Sequence, residues 1–544
     1  MNGTAYLDTF ANDNLPPREQ WPELLFELSE LAYPERINCA VELLDAMVAR
    51  GHGASIAIRG AGVNWTYDKL REIVDRIAGV LRSELGLTTG NRVLLRGANN
   101  PMMAACVLAV WKAGCVAVPT MPLLRAKELA TIMTLARVDA VLCAADLRAE
   151  LDLAYQGLDT APRVVPFNDS APGSLEQMMA AMPSRFEAVD TCSQDVCLLS
   201  FTFGTTGRPK GTMHFHRDVL AICDCFPRSM LATTPADVFI GTPPLAFTFG
   251  LGGLLLFPLR YGASTVLLEK LNPDSLLAAI AEYRATVCFT APTFYRQMAP
   301  LAARHDLSSL TRSVSAGEAL PLQTRQAWQR ATGLAMIDGI GSTEMLHIFI
   351  SAAGEEIRPG ATGRPIPGYR ACILDDEGRQ VGPGITGRLA MKGPTGCRYL
   401  ADPRQQDYVC EGWNLTGDAY QVDADGYFWY QARLDDMIIS AGYNIAGPEV
   451  EDVLLQHPAV AECGVVGAPD AERGQIVLAY VVLRAGEQAN PEMAKALQDH
   501  VKQLLAPYKY PRRIAFRGSL PRTETGKLQR FKLRQEAKQL TEPA

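Results

Sequence analysis

The sequence is poor in the features that mark secreted, membrane-spanning or nucleic-acid-binding chains. It has only seven histidines, and no group of His and Cys stands at the spacing of a linear zinc motif, so zinc is not expected. Its 13 cysteines are odd in number and scattered, with no CxxC; the closest pairs are Cys192/Cys197 and Cys223/Cys225. That pattern excludes a disulfide framework and fits reduced thiols in a cytoplasmic chain. Positive charge is not in excess: 52 Lys and Arg against 59 Asp and Glu leave a net charge of −7, which disfavours a nucleic-acid partner. Long apolar runs are missing too. Residues 101–119 contain Lys112, and residues 247–268 are broken by Gly252, Gly253, Pro258 and Arg260. Neither supplies the roughly 20 uninterrupted apolar residues of a membrane span. The first residues carry Asp8 and Asp13 with no basic segment leading into an apolar run, so no secretory signal is expected. What remains is 48% hydrophobic and 20% charged residues, the balance of a globular chain, expected to be a cytoplasmic enzyme without membrane or nucleic-acid partners.

A chain of 544 residues has room for three or four units at roughly 150 residues each. Residues 66–85 place Leu70, Ile73, Val74, Ile77, Val80 and Leu81 at helical spacing behind a Thr66-Tyr67-Asp68 cap region. Short apolar strands are expected around it at 55–58, 92–95, 116–119 and 141–143, with a helix at 126–136. The alternation continues through strands at 197–203, 237–241, 265–268, 286–290, 313–315 and 336–338. Such alternation implies α/β layering with much parallel sheet, whose ligands sit beyond the carboxyl ends of strands. After about residue 370 the pattern turns to β structure with tight turns, at 371–374, 387–392 and 427–430. Beyond the run Arg433-Leu434-Asp435-Asp436, helices at 448–456 and 491–505 and strands at 461–466, 476–483 and 513–516 read as a compact α+β unit of about 110 residues. A domain boundary is placed at 434/435.

One loop stands out. The apolar strand at 197–201 runs into Thr202-Phe203-Gly204-Thr205-Thr206-Gly207-Arg208-Pro209-Lys210-Gly211. Glycines let the backbone approach an anion and turn N–H groups toward it, while hydroxyls and a lysine add donors and positive charge. The pattern is not GxxxxGK[ST], which disfavours an ordinary P-loop NTPase. By itself it is a phosphate-binding loop or a Thr/Gly-rich surface turn.

This loop resembles the phosphate-binding loop of the adenylate-forming superfamily of acyl-CoA synthetases, peptide-synthetase adenylation domains and luciferases. Further resemblances follow in the same order along the chain. Ser315-Ala316-Gly317-Glu318-Ala319-Leu320 resembles the adenine-flanking loop, and Asp338-Gly339-Ile340-Gly341-Ser342-Thr343-Glu344 the nucleotide and metal segment. Leu415-Thr416-Gly417-Asp418 resembles the ribose motif, Arg433-Leu434-Asp435-Asp436 the hinge, and Pro521-Arg522-Thr523-Glu524-Thr525-Gly526-Lys527 the loop of the catalytic lysine. The fold so implied is α/β: a large body of layered α/β subdomains with a β-rich subdomain at 1–434, and a small mobile α+β domain at 435–544.

The resemblance implies ATP, Mg²⁺ and CoA as cofactors, with the following roles. Thr202, Gly204, Thr205, Thr206, Gly207 and Lys210 would hold the β- and γ-phosphates. Gly317, Glu318, Ala319, Asp338, Gly339 and Ile340 would flank the nucleotide. Glu344, with Thr205, would hold Mg²⁺, a hard cation that takes oxygen ligands. Thr343 would bond the α-phosphate, Asp418 the ribose hydroxyls, and Arg433 the same nucleotide. Lys527 would be catalytic, Asp435 the hinge, and Gly442, within Ser440-Ala441-Gly442-Tyr443, the clearance residue of a thiol tunnel. Two positions depart from the family pattern: Phe203, where a small residue is usual, and Ala432, where glycine is usual.

The segments Phe247-Thr248-Phe249-Gly250-Leu251-Gly252 and Gly339 through Phe349 resemble benzoate-type aryl-CoA ligases, in which positions matching Thr248, Phe249, Ile340, Gly341 and His347 line a flat pocket. Aromatic walls suit a ring, and a histidine can bond a polar group. Phe247 is either a gating aromatic or core packing, and His347 either a substrate contact or a structural histidine. Residues 13–22 and 438–447 strengthen a likeness to 2-aminobenzoate–CoA ligases. The expected substrates are therefore a small aryl carboxylate, ATP and CoA, acted on by a monomer or homodimer. Benzoate or a hydroxy- or halo-benzoate is the alternative acid, and a carrier-protein-loading adenylation enzyme the alternative activity. A luciferase-like oxygenase or a non-catalytic scaffold has no positive support.

Overall fold

The computed structural model describes residues 3–60, 62–158, 161–203, 209–440, 443–470, 473–505, 508–522 and 528–539. Two largely parallel sheets arise where short apolar strands alternate with helices. The first has six strands in the order Arg163–Phe167, Ala140–Ala144, Arg92–Arg96, Val116–Thr120, Val196–Phe203, Pro209–Phe215. Its last pair is antiparallel and the others are parallel. The second has nine, in the order Arg364–Pro365, Ile348–Ser351, Met336–Gly341, Arg312–Ala316, Val287–Thr290, Val238–Gly241, Ser264–Val266, Ile56–Gly60, Val63–Thr66. Its six middle strands, Met336–Gly341 through Ile56–Gly60, run parallel.

Strands such as Val116–Thr120 are buried at every position, as expected where helices cover both faces. The helix Tyr67–Gly79 starts where the Thr66 hydroxyl accepts from the Lys69 N–H, and it buries Leu70, Ile73, Val74 and Ile77. Helix Pro101–Lys112 is buried along its whole length: its residues are apolar all round except Lys112, which pairs with Asp45 and Asp75. Thus the apolar run at 101–119 is an interior helix followed by an interior strand. Among the described residues, no helix is long and apolar enough to cross a membrane.

A third, antiparallel sheet follows, with Trp413–Val422 between Thr386–Lys392 and Phe428–Arg433. The C-terminal part forms its own sheet from Ile438–Ser440, Tyr443–Ile445, Val460–Asp470, Gly474–Leu483 and Arg513–Phe516. Helices Gly447–Leu454, Pro491–Leu504 and Arg530–Gln539 accompany it. Its two apolar clusters, around Val465 and Leu478, draw only on residues beyond 437.

The cysteines are all free thiols, and Cys410 alone is exposed. Linear spacing was no guide to their neighbourhoods: Cys39, Cys197 and His216 converge in the interior, so a possible metal-ligand set exists where the sequence showed none.

Candidate active site

The parallel strands of the second sheet deliver their carboxyl ends to one edge. Ser315 lies opposite Asp338 and Ala316 opposite Gly339, which sets Gly317, Glu318 and Ala319 beside Gly339, Ile340 and Gly341. Gly317 turns the chain out with a φ of +91°, a conformation that favours glycine. The Glu318 carboxylate accepts from the Thr293 hydroxyl at 2.7 Å, and its Oε1 has no partner. Oδ1 of Asp338 is likewise buried without a partner, and burial, partly offset by Arg325, pushes this carboxyl up to about 7. Unspent polar atoms at strand ends are the kind of groups a ligand satisfies.

The hairpin of the first sheet supplies the next wall. Strands Val196–Phe203 and Pro209–Phe215 pair with Thr202 opposite Lys210. The loop between them, with Gly204, Thr205, Thr206 and Gly207, lies outside the described residues. The chain around Arg398 runs beside this hairpin: Met213 N–H donates to the Arg398 carbonyl and Leu400 N–H to that of Gly211, both at 2.8 Å. A fully buried ion pair between Arg398 and Asp218 pins that segment. Removing either partner would strand a buried charge, at a cost of about 3–5 kcal/mol.

This docking brings in Tyr399, a residue no sequence motif had singled out. Its hydroxyl donates to Glu344 Oε1 at 2.6 Å. The Lys210 ammonium sits 5.0 Å from its ring centroid and 3.4 Å from its hydroxyl. Burial and the Glu344 carboxylate push the phenol well above its ordinary range, so it stays a donor. Lys210, Tyr399 and Glu344 therefore form one chain of contacts joining hairpin and second sheet. Thr343 is half-buried beside Glu344.

Asp418 and Arg433 are register partners on adjacent antiparallel strands. Arg433 donates to Asp418 Oδ1 at 3.0 Å and to the Thr416 carbonyl at 3.1 Å. Burial raises the Asp418 carboxyl from its usual range, and Arg433 opposes that shift.

The expected aryl pocket centres on His347. Phe247 precedes the short helix Thr248–Leu251, whose Leu251 N–H donates to the Phe247 carbonyl at 2.7 Å. Phe249 lies 5.8 Å from the His347 ring, and Phe226, Phe257 and Phe289 surround it at 5.4, 4.5 and 6.4 Å. The imidazole is 2% exposed, and neither ring nitrogen has a hydrogen-bond partner. Burial pushes its pKa down to about 3, and the Phe249 backbone partly opposes this. A neutral imidazole keeps one donor and one acceptor. Gly252 makes room for it: a Cβ there would come within 2.5 Å of His347 Cδ2. A Cβ on Gly341 would meet the His347 backbone at 2.7 Å. Thr248 is buried, Ile340 half-buried and Gly341 exposed. The sequence had offered Phe249 and His347; Phe226, Phe257 and Phe289 come from three distant segments and left no local signal.

At the expected hinge the chain makes a tight turn, Leu434–Asp436, directly after the strand that ends in Arg433. Gly442 and Lys527 lie outside the described residues, but the stem of the lysine loop is fixed by a bridge between Arg522 and Leu528. Glu462 of the C-terminal sheet accepts from Arg522 at 3.0 Å and from Arg296 of the second sheet's helices at 3.2 Å.

For Mg²⁺ the described member of the expected donor set fits. Glu344 supplies a hard carboxylate oxygen oriented by Tyr399, which suits a cation that takes oxygen ligands.

Comparison with known proteins identifies the family. Residues 46–399 match the AMP-binding enzyme family, and residues 449–527 match the AMP-binding enzyme C-terminal domain. A benzoate–CoA ligase of Thauera aromatica is 35% identical over 92% of this chain and 96% of its own. The crystal structure of the anthranilate CoA ligase AuaEII in complex with anthranoyl-AMP superposes with a TM-score of 0.89 at 33% identity, over 94% of this chain and 99% of that one. A benzoate CoA ligase structure from Burkholderia xenovorans LB400 gives a TM-score of 0.84 at 32% identity, over 92% and 100%.

Proposed function

This chain belongs to the AMP-binding enzyme family, an acid–thiol ligase of the aryl-CoA type, and from that premise we propose that its preferred acid is 2-aminobenzoate. The observation that carries the choice is His347: an imidazole enclosed by phenylalanine rings with both nitrogens unpartnered. A buried polar group without a partner costs about 1–3 kcal/mol, and a ligand that reaches it recovers that cost. An aromatic acid with one polar ring substituent matches such a site better than an unsubstituted ring. Thr248, Phe249, Ile340 and Gly341 would complete the pocket, and Phe247 would gate it.

ATP and CoA are the co-substrates. In the first half-reaction a carboxylate oxygen attacks the α-phosphorus of ATP. An acyl–phosphate bond forms, the α–β phosphoanhydride bond breaks, and pyrophosphate leaves. Two anions must meet, so the residues' work is to hold them in line and offset their charge. Thr202, Lys210 and the loop of Gly204, Thr205, Thr206 and Gly207 would hold the β- and γ-phosphates. Thr343 would bond the α-phosphate. Gly317, Glu318, Ala319, Asp338, Gly339 and Ile340 would border the base, while Asp418 would take the ribose hydroxyls and Arg433, which donates to Asp418, would bond the same nucleotide. Lys527 would neutralise the developing charge. Glu344 and Thr205 would hold Mg²⁺, which when bound would offset the negative charge of the phosphates.

In the second half-reaction the CoA sulfur attacks the acyl carbon. A carbon–sulfur bond forms and AMP leaves with the carbon–oxygen bond electrons. Rotation of residues 435–544 about Asp435 would withdraw Lys527 and open a thiol path past Gly442.

Steady-state kcat/KM for 2-aminobenzoate and benzoate, each with ATP and CoA, tests the reading. A preference for 2-aminobenzoate is expected; a strong preference for benzoate overturns the substrate assignment and leaves the ligase chemistry standing.

A further inference from the structure

Far from the nucleotide edge, Cys39, Cys197 and His216 meet in the core. Cys197 lies on the strand Val196–Phe203, and His216 is the first residue of the helix His216–Phe226. Cys39 comes from the N-terminal segment, which crosses this point as it enters its first long helical stretch. All three are 0% exposed, and their ligand atoms lie within 4.8 Å of one another. With every separation at or under 4.8 Å, a common centre lies no more than about 2.8 Å from each atom, against zinc–sulfur and zinc–nitrogen bonds of about 2.3 and 2.0 Å. Shifts of roughly half an ångström to one ångström would close a coordination shell.

The histidine is set up as a ligand. The Tyr6 hydroxyl donates to the Val196 carbonyl at 2.9 Å, so its oxygen is left to accept, and His216 Nε2 lies 3.4 Å away. That places the imidazole proton on Nε2 and the lone pair on Nδ1, which sits 3.1 Å from Cys39 Sγ. The Cys39 N–H also points at Nδ1, at 3.2 Å, a long bond that a cation would supplant. An outer partner that holds the far ring nitrogen and fixes the tautomer is the usual companion of a metal-ligating histidine.

We propose that Cys39, Cys197 and His216 form a buried site for a thiophilic d¹⁰ cation, Zn²⁺ or Cu⁺. Two sulfurs and one imidazole are soft-to-borderline donors, which exclude Mg²⁺ and Ca²⁺. Two thiolates around Zn²⁺ form a neutral unit, the arrangement of least desolvation cost in a fully buried place. Cu⁺ leaves one negative charge but accepts three ligands without a fourth. In either case the ion ties the N-terminal segment, the first sheet and the helix His216–Phe226 together. His216 follows the strand from Lys210 by six residues, about 20 Å of extended chain, so the ion's task is structural and not catalytic.

The test uses tag-free, full-length protein expressed in medium supplemented with Zn²⁺ in one arm and with copper under reducing, anaerobic handling in the other. Each sample is dialysed against EDTA, and metal per chain is measured by plasma mass spectrometry. About one equivalent of Zn²⁺ or Cu⁺ should survive in the wild type and be lost in Cys39→Ser and in Cys197→Ser. X-ray absorption of the loaded wild type keeps the test independent of whether those variants fold: a shell of two sulfurs and one nitrogen is expected. A shell of nitrogen and oxygen alone overturns the proposal. So does metal below about a tenth of an equivalent in both arms, or a wild-type mass 2 Da light from a Cys39–Cys197 disulfide.

Discussion

Gly252→Ala is the substitution that reads the acyl pocket most sharply. The backbone tolerates it, since Gly252 has φ −62° and ψ −60° and alanine is the better helix former. The difficulty lies in what the new methyl meets: His347 Cδ2 at 2.5 Å, His347 Nε2 at 2.9 Å and Phe257 Cζ at 3.1 Å. The imidazole cannot step aside freely, because Phe226, Phe249, Phe257 and Phe289 pack around it. Overpacking of an enclosed site costs about 1–3 kcal/mol. If that cost falls on the bound aryl acid, kcat/KM for the acid drops roughly 5- to 150-fold. KM for ATP should stay within about twofold, since the atoms nearest the new methyl belong to His347 and Phe257, neither of them a nucleotide residue. The assay is pyrophosphate release across acid and ATP titrations, with thermal melting to confirm the fold. The causal claim is tested by a cycle with His347→Ala, which removes the atoms the methyl meets. In that background Gly252→Ala should cost little. An equal loss with and without the His347 side chain would refute the reasoning.

Other perturbations read other parts of the site. Tyr399→Phe removes a hydrogen bond to a carboxylate, worth about 1.5–3 kcal/mol, while keeping the ring beneath Lys210. Single-turnover adenylate formation should slow roughly 10- to 150-fold, and an unchanged rate would dissociate Tyr399 from Glu344. Lys527→Ala should cripple adenylation yet largely spare thioester formation from supplied aryl-adenylate; equal loss in both steps removes its assigned role. Asp435→Pro should do the reverse, since proline fixes φ at the proposed pivot, and normal overall turnover would argue against the boundary at 434/435. Asp338→Asn should change the pH dependence of stability. With the folded carboxyl pushed up to about 7, wild-type stability falls as pH rises from about 4 to 7, because only the unfolded chain then ionises this group. The asparagine variant lacks that loss. Its melting advantage over wild type should therefore grow by about 2 °C or more between pH 5 and pH 8; a constant difference contradicts it.

Local patterns were legible where one physical rule dominated. The helix Ala126–Ala136 has the bounds its spacing implied, and the strand Arg513–Phe516 likewise. The strands that carry the nucleotide edge were placed to within one to three residues, because fully buried parallel strands are short, apolar and bounded by turn residues. Helices Pro273–Tyr283 and His216–Phe226 were passed over. The first did carry a signal, since Asn272 caps it and proline opens its first turn. In the site, each motif marked one strand end, but no motif marks the partners that complete it. Tyr399 reaches Glu344 only because the Arg398 segment pairs with the hairpin and a buried ion pair holds it. The phenylalanines around His347, and the meeting of Cys39, Cys197 and His216, likewise come from segments far apart in sequence. Long-range packing leaves no spacing to read.

The central claim is best tested by competition. The enzyme is supplied with equimolar 2-aminobenzoate and benzoate, excess ATP and CoA, and the thioesters formed at low conversion are quantified by mass spectrometry. Their ratio equals the ratio of kcat/KM values, free of errors in enzyme concentration. A 2-aminobenzoyl-CoA excess of about tenfold or more, equivalent to about 1.4 kcal/mol, is expected from an imidazole that gains a partner only with the substituted ring. A benzoyl-CoA excess would contradict the account.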